Sequence, residues 1–591
     1  MAVGLGAAAA ASIVAIWIGT SRGIDLTDEG IYLVTYRAFR HPELTFTGTP
    51  AILGPLFQLL GWSIPALRRA KLIGFIVTSG ILGFVVDRFL SQRLGGRGIA
   101  DRARTIAVIL LTMIGGLTVY AFLPQSPGYN DMAILLSMIA VAMTLRLMAD
   151  GPRIRGSIGF GFVLILLFLV KFPSALLIGA GCVLVLFVRR RTTIPLLLRT
   201  LAIGGVVGAV CGLFVLQILS GDIVGRIKSV FRANDTAVKG QTLSESYVHV
   251  YASATGSVIR AILPLAGVVA VVAVIGWFLL RRRPWIYALV LVGSSAFVVL
   301  VARRRAFFAG GQDNVSTLQN AFPLVTALVL IVVFSVRQTQ ARAVASTAEP
   351  VARRARGDLL AAAVLLLAAP TLQGIGTGNS PFAIAASAGA LWVSGLLVLL
   401  FWLMPSRGPG AFTGLGMAGL VVGGAWLLGA PALWLTPFRL SGDLRDQTTA
   451  IRGVPRLAGV KTDPSTAAFL REAYDVLEKR HLLGSPGFSS FAGVGMAYAL
   501  ELGHPPAGMY VDEPLAAVLK GRVADACRIG AIGPDKLPVV LSDSTRFSAT
   551  ASALTACGID FLGGYDRVKL ASPPFLKDFG IADISVWTPK A

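Results

Sequence analysis

Apolar stretches of bilayer-spanning length recur from the first residues of this chain to about residue 435, and no other feature restricts its fold as strongly. A helix needs ~20 apolar residues to cross the hydrocarbon, because there each backbone N–H and C=O must be satisfied inside the helix itself. Only 14% of the residues are charged and the mean hydropathy is +0.74, which excludes an ordinary soluble globular chain. Counting spans gives about 13 helices. Their approximate cores are 3–20, 72–90, 106–123, 132–148, 157–170, 174–188, 200–219, 261–280, 285–302, 321–336, 359–373, 383–404 and 413–433. The first, Val3 to Thr20, has no basic lead and no small-residue cleavage site, so it reads as a retained transmembrane helix.

The net charge of +23 invites a nucleic-acid partner, and its distribution argues against one. Residues 436–591 carry 17 Lys and Arg against 16 Asp and Glu, whereas residues 1–435 carry 36 against 14. The excess sits in alternate short loops (Arg93 to Arg104, Arg153 and Arg155, Arg189 to Arg199, Arg281 to Arg283, Arg337 to Arg356, Arg407), which the positive-inside bias assigns to the cytoplasm. The N-terminus is then cytoplasmic, and an odd number of helices puts residues 436–591 outside. There the pattern changes. Asp463 to Arg480 reads as a capped amphipathic helix, and short apolar runs (Val539–Leu541, Ile559–Leu562) alternate with helical stretches (Glu513–Ile529, Ser548–Cys557). This is the signature of a small α/β domain of about 140 residues. Gly484 to Gly487 reads as a turn, and the four histidines have no metal-ligand spacing. Cys182 and Cys211 lie in apolar runs and read as packing residues, whereas Cys527 and Cys557 are a candidate disulfide in an oxidising compartment.

The outer face then carries the connection 21–71, the turn Pro124–Asp131, the break Lys171–Ser174, the loops 220–258 and 303–320, and the tail. Within 21–71, aromatic and basic residues alternate (Tyr32, Tyr36, Arg37, Phe39, Arg40), which suits helices lying in the interface plane. The apolar run Ile52 to Leu67, interrupted by Gly54, Pro55, Gly61 and Pro65, reads as a re-entrant or surface segment.

Four outer features can converge. Asp25, Asp28 and Glu29 are three of the 14 acidic residues in the first 435. Carboxylates are costly near a bilayer, so their clustering at a helix exit points to function: a base for a hydroxyl nucleophile, or a holder of a divalent cation. The plain alternative is a polar loop. Tyr129, Asn130 and Asp131 add a further carboxylate and a hydrogen-bonding tyrosine, or else they cap a helix. Lys171 is a single cation beside Pro173 in a largely apolar run; it either snorkels or meets a phosphate in a cavity. Arg303, Arg304 and Arg305 violate the positive-inside pattern and match phosphate oxygens, unless a miscounted span returns them to the cytoplasm.

Asp28-Glu29-Gly30-Ile31-Tyr32 after the first helix resembles the Asp-Glu signature in the first outer loop of the GT-C glycosyltransferases. Within them it is most similar to protein O-mannosyltransferases and lipid A aminoarabinose transferases. Gly48 to Phe75 (with Gly54-Pro55-Leu56 and Leu67-Arg68-Arg69), Pro127 to Asp131 and Lys171-Phe172-Pro173 resemble further recurring elements of these enzymes. The resemblance covers roughly residues 1–200, and the later helices only by topology. It implies a polytopic α-helical membrane protein of GT-C type, with catalytic helices over 1–435 that include the outer loop 21–71, and an extracytoplasmic α/β domain over 436–591. It implies transfer of a sugar from a polyprenyl-phosphate carrier to a hydroxyl of a lipid, glycan or protein, by one inverting displacement at the outer face of a bacterial inner membrane. Asp28 would be the general base, with Glu29 and Asp131 in support of acceptor or metal. Lys171 and Arg303 to Arg305 would contact the carrier phosphate. No cofactor beyond a divalent cation is suggested.

A transporter or flippase of lipid-linked sugars is the main rival. It would be expected to show internal repeats and helices broken near the midplane; no repeat is evident, and the acidic residues cluster at one face. A scaffold whose tail binds a partner leaves the Asp25–Glu29 cluster unexplained.

Overall fold

The computed structural model of the protein describes residues 2–228, 350–403 and 440–590, apart from 42–46, 95–98, 122, 152, 189–193, 376–380, 441, 491–493, 504–522, 525, 529, 545–546, 579–580 and 582. The spans expected at 261–280, 285–302, 321–336 and 413–433, and the 303–320 loop, lie outside the described residues. Twelve helices precede the tail among those described: α1 (Ala2–Gly19), α2 (Asp28–Arg37), α3 (Thr49–Leu59), α4 (Ile64–Leu94), α5 (Ile99–Gly116), α6 (Tyr129–Asp150), α7 (Ile154–Val170), α8 (Phe172–Val188), α9 (Ile194–Ser220), α10 (Pro350–Gly374), α11 (Pro381–Ser387) and α12 (Gly389–Leu403). Five are long and apolar enough to cross a membrane: Ile64–Arg93, Arg102–Tyr120, Tyr129–Asp150, Leu198–Leu219 and Ala355–Gly374.

The apolar pattern explains how these helices are used. On α9, Val206, Val210, Phe214 and Ile218 recur every fourth residue and are each at least 60% exposed, an apolar stripe suited to lipid. Its opposite face is made of small residues. Gly204, Gly208 and Gly212 press on Ser157, Ile158 and Phe162 of α7, where an added methyl would strike backbone or side chain. Phe75, Leu111, Met138, Leu366 and Leu397, from α4, α5, α6, α10 and α12, meet in one buried core. The segment 21–71 is not a span. Its helix α3 carries Pro55, and the chain reverses at Gly61-Trp62 before α4 starts at Ile64, earlier than the apolar run alone suggests.

In the tail, β1 (Thr449–Ala450) pairs antiparallel with β2 (Lys461–Thr462). The helix α13 (Pro464–Lys479) is capped by Asp463, whose carboxylate accepts the Thr466 N–H at 2.9 Å. Its buried face is Phe469, Leu470, Ala473 and Leu477. A four-stranded sheet follows, in the order β3 (Gly487–Ser489), β4 (Val539–Asp543), β6 (Ile584–Pro589), β5 (Tyr565–Leu570), and only the β3–β4 pair is parallel. Short helices α14 (Val494–Ala499), α15 (Phe547–Thr555) and α16 (Pro574–Asp578) accompany it. The apolar run Ile559–Leu562 forms a turn with Ile559 and Phe561 buried and Leu562 exposed, and β5 begins after it. Cys527 and Cys557 are joined in a disulfide.

The tail docks on the exit of α1. The Lys461 N–H donates to the Ser21 carbonyl at 2.8 Å, and the Gly23 N–H donates back to the Lys461 carbonyl at 2.7 Å. The Gly495 N–H donates to the Leu26 carbonyl at 2.7 Å, and α14 crosses α2 where Gly30 meets Gly495, with no space for a Cβ on either. Ile24, Leu26, Tyr36 and Phe57 therefore share one buried cluster with Leu470, Tyr498 and Val586.

Candidate active site at the start of the second helix

The turn from α1 into α2 is closed by its own carboxylates. Asp25 accepts the Thr27 N–H at 2.8 Å, the Thr27 hydroxyl at 2.5 Å and the Glu29 N–H at 3.1 Å. Glu29 accepts the Asp25 N–H at 3.1 Å. This reciprocal pairing satisfies amides at a helix start that would otherwise lack partners. Burial, and then the nearby charge of Asp28, push Asp25 up to about 7 against the hydrogen bonds from Thr27.

Glu29 is the most constrained of the cluster. Arg68, fully buried in the first turns of α4, grips it with Nε on Oε1 at 2.8 Å and Nη2 on Oε2 at 2.7 Å. The remaining Arg68 donors reach the carbonyls of Thr20, Arg22 and Gly23. The Ser126 N–H and hydroxyl also donate to Glu29 Oε1, at 3.0 and 2.5 Å. Burial works to raise the Glu29 carboxyl, and the Arg68 charge with these hydrogen bonds outweighs it, holding the group below the ordinary carboxylate range. Glu29 thus ties together the end of α1, the start of α4 and the loop before α6.

The same logic repeats at α6. Asp131 accepts the Gly128 N–H at 2.7 Å and pairs with Lys71 at 2.7 Å. Lys71 also donates to the Pro124 carbonyl at 2.7 Å and lies 4.9 Å from the centre of the Tyr120 ring. One residue earlier, Asn130 Oδ1 accepts from Lys171 Nζ at 3.3 Å. Lys171 further donates to the Gln373 and Gly374 carbonyls at 2.7 and 3.3 Å, a cation at the C-terminus of α10 where the helix dipole favours it. Tyr129 packs edge-on to Tyr32 at 6.2 Å, Tyr32 stacks on Tyr36, and the Tyr36 hydroxyl donates to the Pro127 carbonyl at 2.5 Å. Burial, with Tyr129 and Asp28 as the next causes, pushes the Tyr32 phenol well up.

Asp25, Glu29 and Asp131 are therefore buried and engaged, and Asp28 is the partly exposed carboxylate of the four. It occupies the first position of α2, beside the Tyr32–Tyr129 pair. The structure brings Asp25, Asp28 and Glu29 together with Tyr129, Asn130 and Asp131, and brings Lys171 to Asn130. Arg303, Arg304 and Arg305 lie outside the described residues. Among those described, no group of three or more His, Cys, Asp or Glu side chains is disposed to hold a metal ion. Sequence reasoning passed over Arg68, Lys71 and Ser126 as site residues. The signal for the first two was present: two cations three apart on one helix face, just before 15 residues without charge. Ser126 carries no such mark.

No protein-family model matches the chain, and no curated protein matches it in sequence. Among solved structures, the crystal structure of ArnT from Cupriavidus metallidurans bound to undecaprenyl phosphate is similar to it. The TM-score is 0.43 and the identity 13%, covering 99% of this chain and 98% of that one. A likeness at this level says nothing about the chemistry of the site.

Proposed function

We propose that the protein is an integral membrane glycosyltransferase that moves a sugar from a polyprenyl-phosphate carrier to an acceptor hydroxyl, with Asp28 as the general base. The observation that supports this most is the division of labour among the carboxylates. Asp25, Glu29 and Asp131 are buried in hydrogen bonds or ion pairs, while Asp28 keeps partial exposure at the start of a helix whose first turn is tied by Asp25 and Glu29. In this reading Asp28 takes the acceptor proton as the acceptor oxygen forms a bond to the anomeric carbon. The bond from that carbon to the carrier phosphate breaks on the opposite face, and the phosphate leaves with the electron pair. A single displacement of this kind inverts the anomeric configuration.

Lys171 is the proposed cation for the leaving phosphate, since it lies one hydrogen bond from Asn130 in the first turn of α6. Arg303, Arg304 and Arg305 are assigned the same role on their sequence alone. Docking of the tail on Ser21–Gly30 supports one shared side for the tail and the reactive loop. The disulfide supports an oxidising compartment on that side, hence an extracytoplasmic tail and a cytoplasmic N-terminus in a bacterial inner membrane. Lipid, glycan and protein hydroxyls all fit this chemistry as acceptors.

The test is transfer by purified protein in lipid vesicles, with a panel of polyprenyl-phosphate sugars and acceptors. Asp28→Asn is expected to slow release of carrier phosphate about 10²–10⁴-fold, the usual contribution of a positioned base. Movement of donor lipid across the bilayer without any covalent product would contradict the reading and point to transport.

A further inference from the structure

The outward side of α4 carries a cation that neither the candidate site nor the helix packing employs. Ile73, Val77, Ile81 and Phe84 recur at helical spacing and are each at least 51% exposed, a stripe suited to lipid. Arg69 heads this stripe one turn before Ile73, and Arg88 follows Phe84 by one turn at the other end. From Arg69 to Arg88 is about 28 Å at 1.5 Å per residue, close to the ~30 Å thickness of the hydrocarbon. Arg69 therefore stands at the level of the lipid phosphates, at the same end of the helix as Arg68 and Glu29.

Successive residues of a helix point about 100° apart, so Arg68, turned in to Glu29, leaves Arg69 on a different face. The Arg69 guanidinium lies 4.9 Å from the centre of the Trp17 ring on α1. Trp17 is 42% exposed and shares its outward face with Val14 and Ile18, so a second apolar stripe meets the first here. A cation that only snorkels extends its head into water. This one is folded over the indole, with Nε buried and without a hydrogen-bond partner. Among the described residues Arg69 makes no ion pair, whereas Arg68 meets Glu29 at 2.7 Å and Arg88 meets Asp150 at 3.7 Å. The protein supplies no anion for a charge that it holds at the headgroup level.

We propose that Arg69 and Trp17 seat an anionic phospholipid, with its phosphodiester on the terminal nitrogens of Arg69 and an acyl chain along Ile73 to Phe84. A guanidinium matches two phosphate oxygens at once, and the indole fixes it at the interface, where tryptophan is favoured. A zwitterionic headgroup brings its own ammonium to the same cation, which sets the preference for an anionic one. A soluble phosphate lacks the apolar contact that the stripe supplies. The lipid fastens α1 to α4 beside Arg68, and the assignment stands whether or not the chain transfers sugars.

Native mass spectrometry of the full chain in detergent, titrated with phosphatidylglycerol or phosphatidylcholine, reads the site directly. The expected result is a saturable first phosphatidylglycerol adduct, held about tenfold more tightly than phosphatidylcholine. Arg69→Gln is expected to abolish that preference, and Arg146→Gln, at an exposed arginine of α6, to leave it unchanged. Trp17→Leu keeps the surface apolar and is expected to weaken the preference several-fold, so the site remains testable if Arg69→Gln fails to fold. Equal affinity for the two lipids overturns the site, as does a preference that survives both Arg69→Gln and Trp17→Leu. A lipid-free dimer in place of the adducts overturns it too, since a second copy then covers the stripe. Displacement of phosphatidylglycerol by equimolar polyprenyl phosphate overturns the choice of a phospholipid and makes the stripe a path for the carrier.

Discussion

Glu29 and Arg68 are each at most 1% exposed, and each uses the other to satisfy a charge that neither could carry alone in this environment. Removing one partner of such a pair strands the other, at a cost of roughly 3–5 kcal/mol. Glu29→Gln should therefore lower stability by about that amount in denaturant titration, and Arg68→Lys should be nearly as harmful because one ammonium cannot supply five donors in a plane. Near-native stability in both would show that the contact is incidental. Asp25 yields a pH prediction of definite sign. Its folded value of about 7 lies above the reference 3.8, so the folded protein holds a proton that the unfolded chain releases between those values. Its contribution is present at low pH and is lost as pH rises toward 7. Glu29, held low, acts in the opposite direction and contributes above its reference of 4.5. The decline in thermal midpoint from pH 5 to pH 7.5 should thus be shallower in Asp25→Asn than in the parent, and an unchanged slope would remove Asp25 as its source. The residue types of this cluster were legible from the scarcity of carboxylates in the first 435 residues. Their roles were not, because Glu29 and Asp28 differ only in which neighbours the fold delivers, and Arg68 and Ser126 come from 39 and 97 residues away.

At the level of elements, α4 shows how charge and length locate a helix in a bilayer. Arg68 and Lys71 are paired at one end, and Asp87 and Arg93 at the other, with Arg104 at 2.8 Å and Asp358 at 2.9 Å respectively. The uncharged stretch between Lys71 and Asp87 is about 24 Å at 1.5 Å per residue, a little less than the hydrocarbon thickness. Hydropathy exposed this helix but placed its start too late, because the cations of its first two turns mask helix that is apolar elsewhere. The α2–α14 crossing was illegible for a different reason: a glycine pair becomes informative only when two distant helices are known to touch. Gly495→Ala would drive a methyl into the Leu26 backbone. We expect it to loosen the seam, with faster amide exchange over 20–30 than in the parent. Unchanged exchange there would mean that the crossing tolerates a Cβ and does not lock the reactive loop.

For the molecule as a whole, the tail and the helical part share a continuous core at the mouth of the candidate site, and the disulfide closes a 30-residue span of the tail. A loop of that size implies roughly 3–4 kcal/mol of stabilisation from the restricted unfolded chain. The pair Cys527→Ser and Cys557→Ser should lower tail stability by about that much, and thiol labelling of untreated protein should find neither cysteine reactive; reaction of both would show the bond absent in the native state. The mixed sheet order of the tail could not be deduced from its short apolar runs, since pairing is set by crossings remote in sequence, whereas five of the expected spans were legible from length and apolar composition. The central claim is that Asp28 is the base of a sugar transfer from a polyprenyl-phosphate carrier. Release of carrier phosphate in vesicles, compared between the parent and Asp28→Asn with donor binding measured in parallel, tests it most directly. The account predicts release by the parent alone with donor bound equally by both, and it is contradicted if Asp28→Asn releases phosphate at the parental rate.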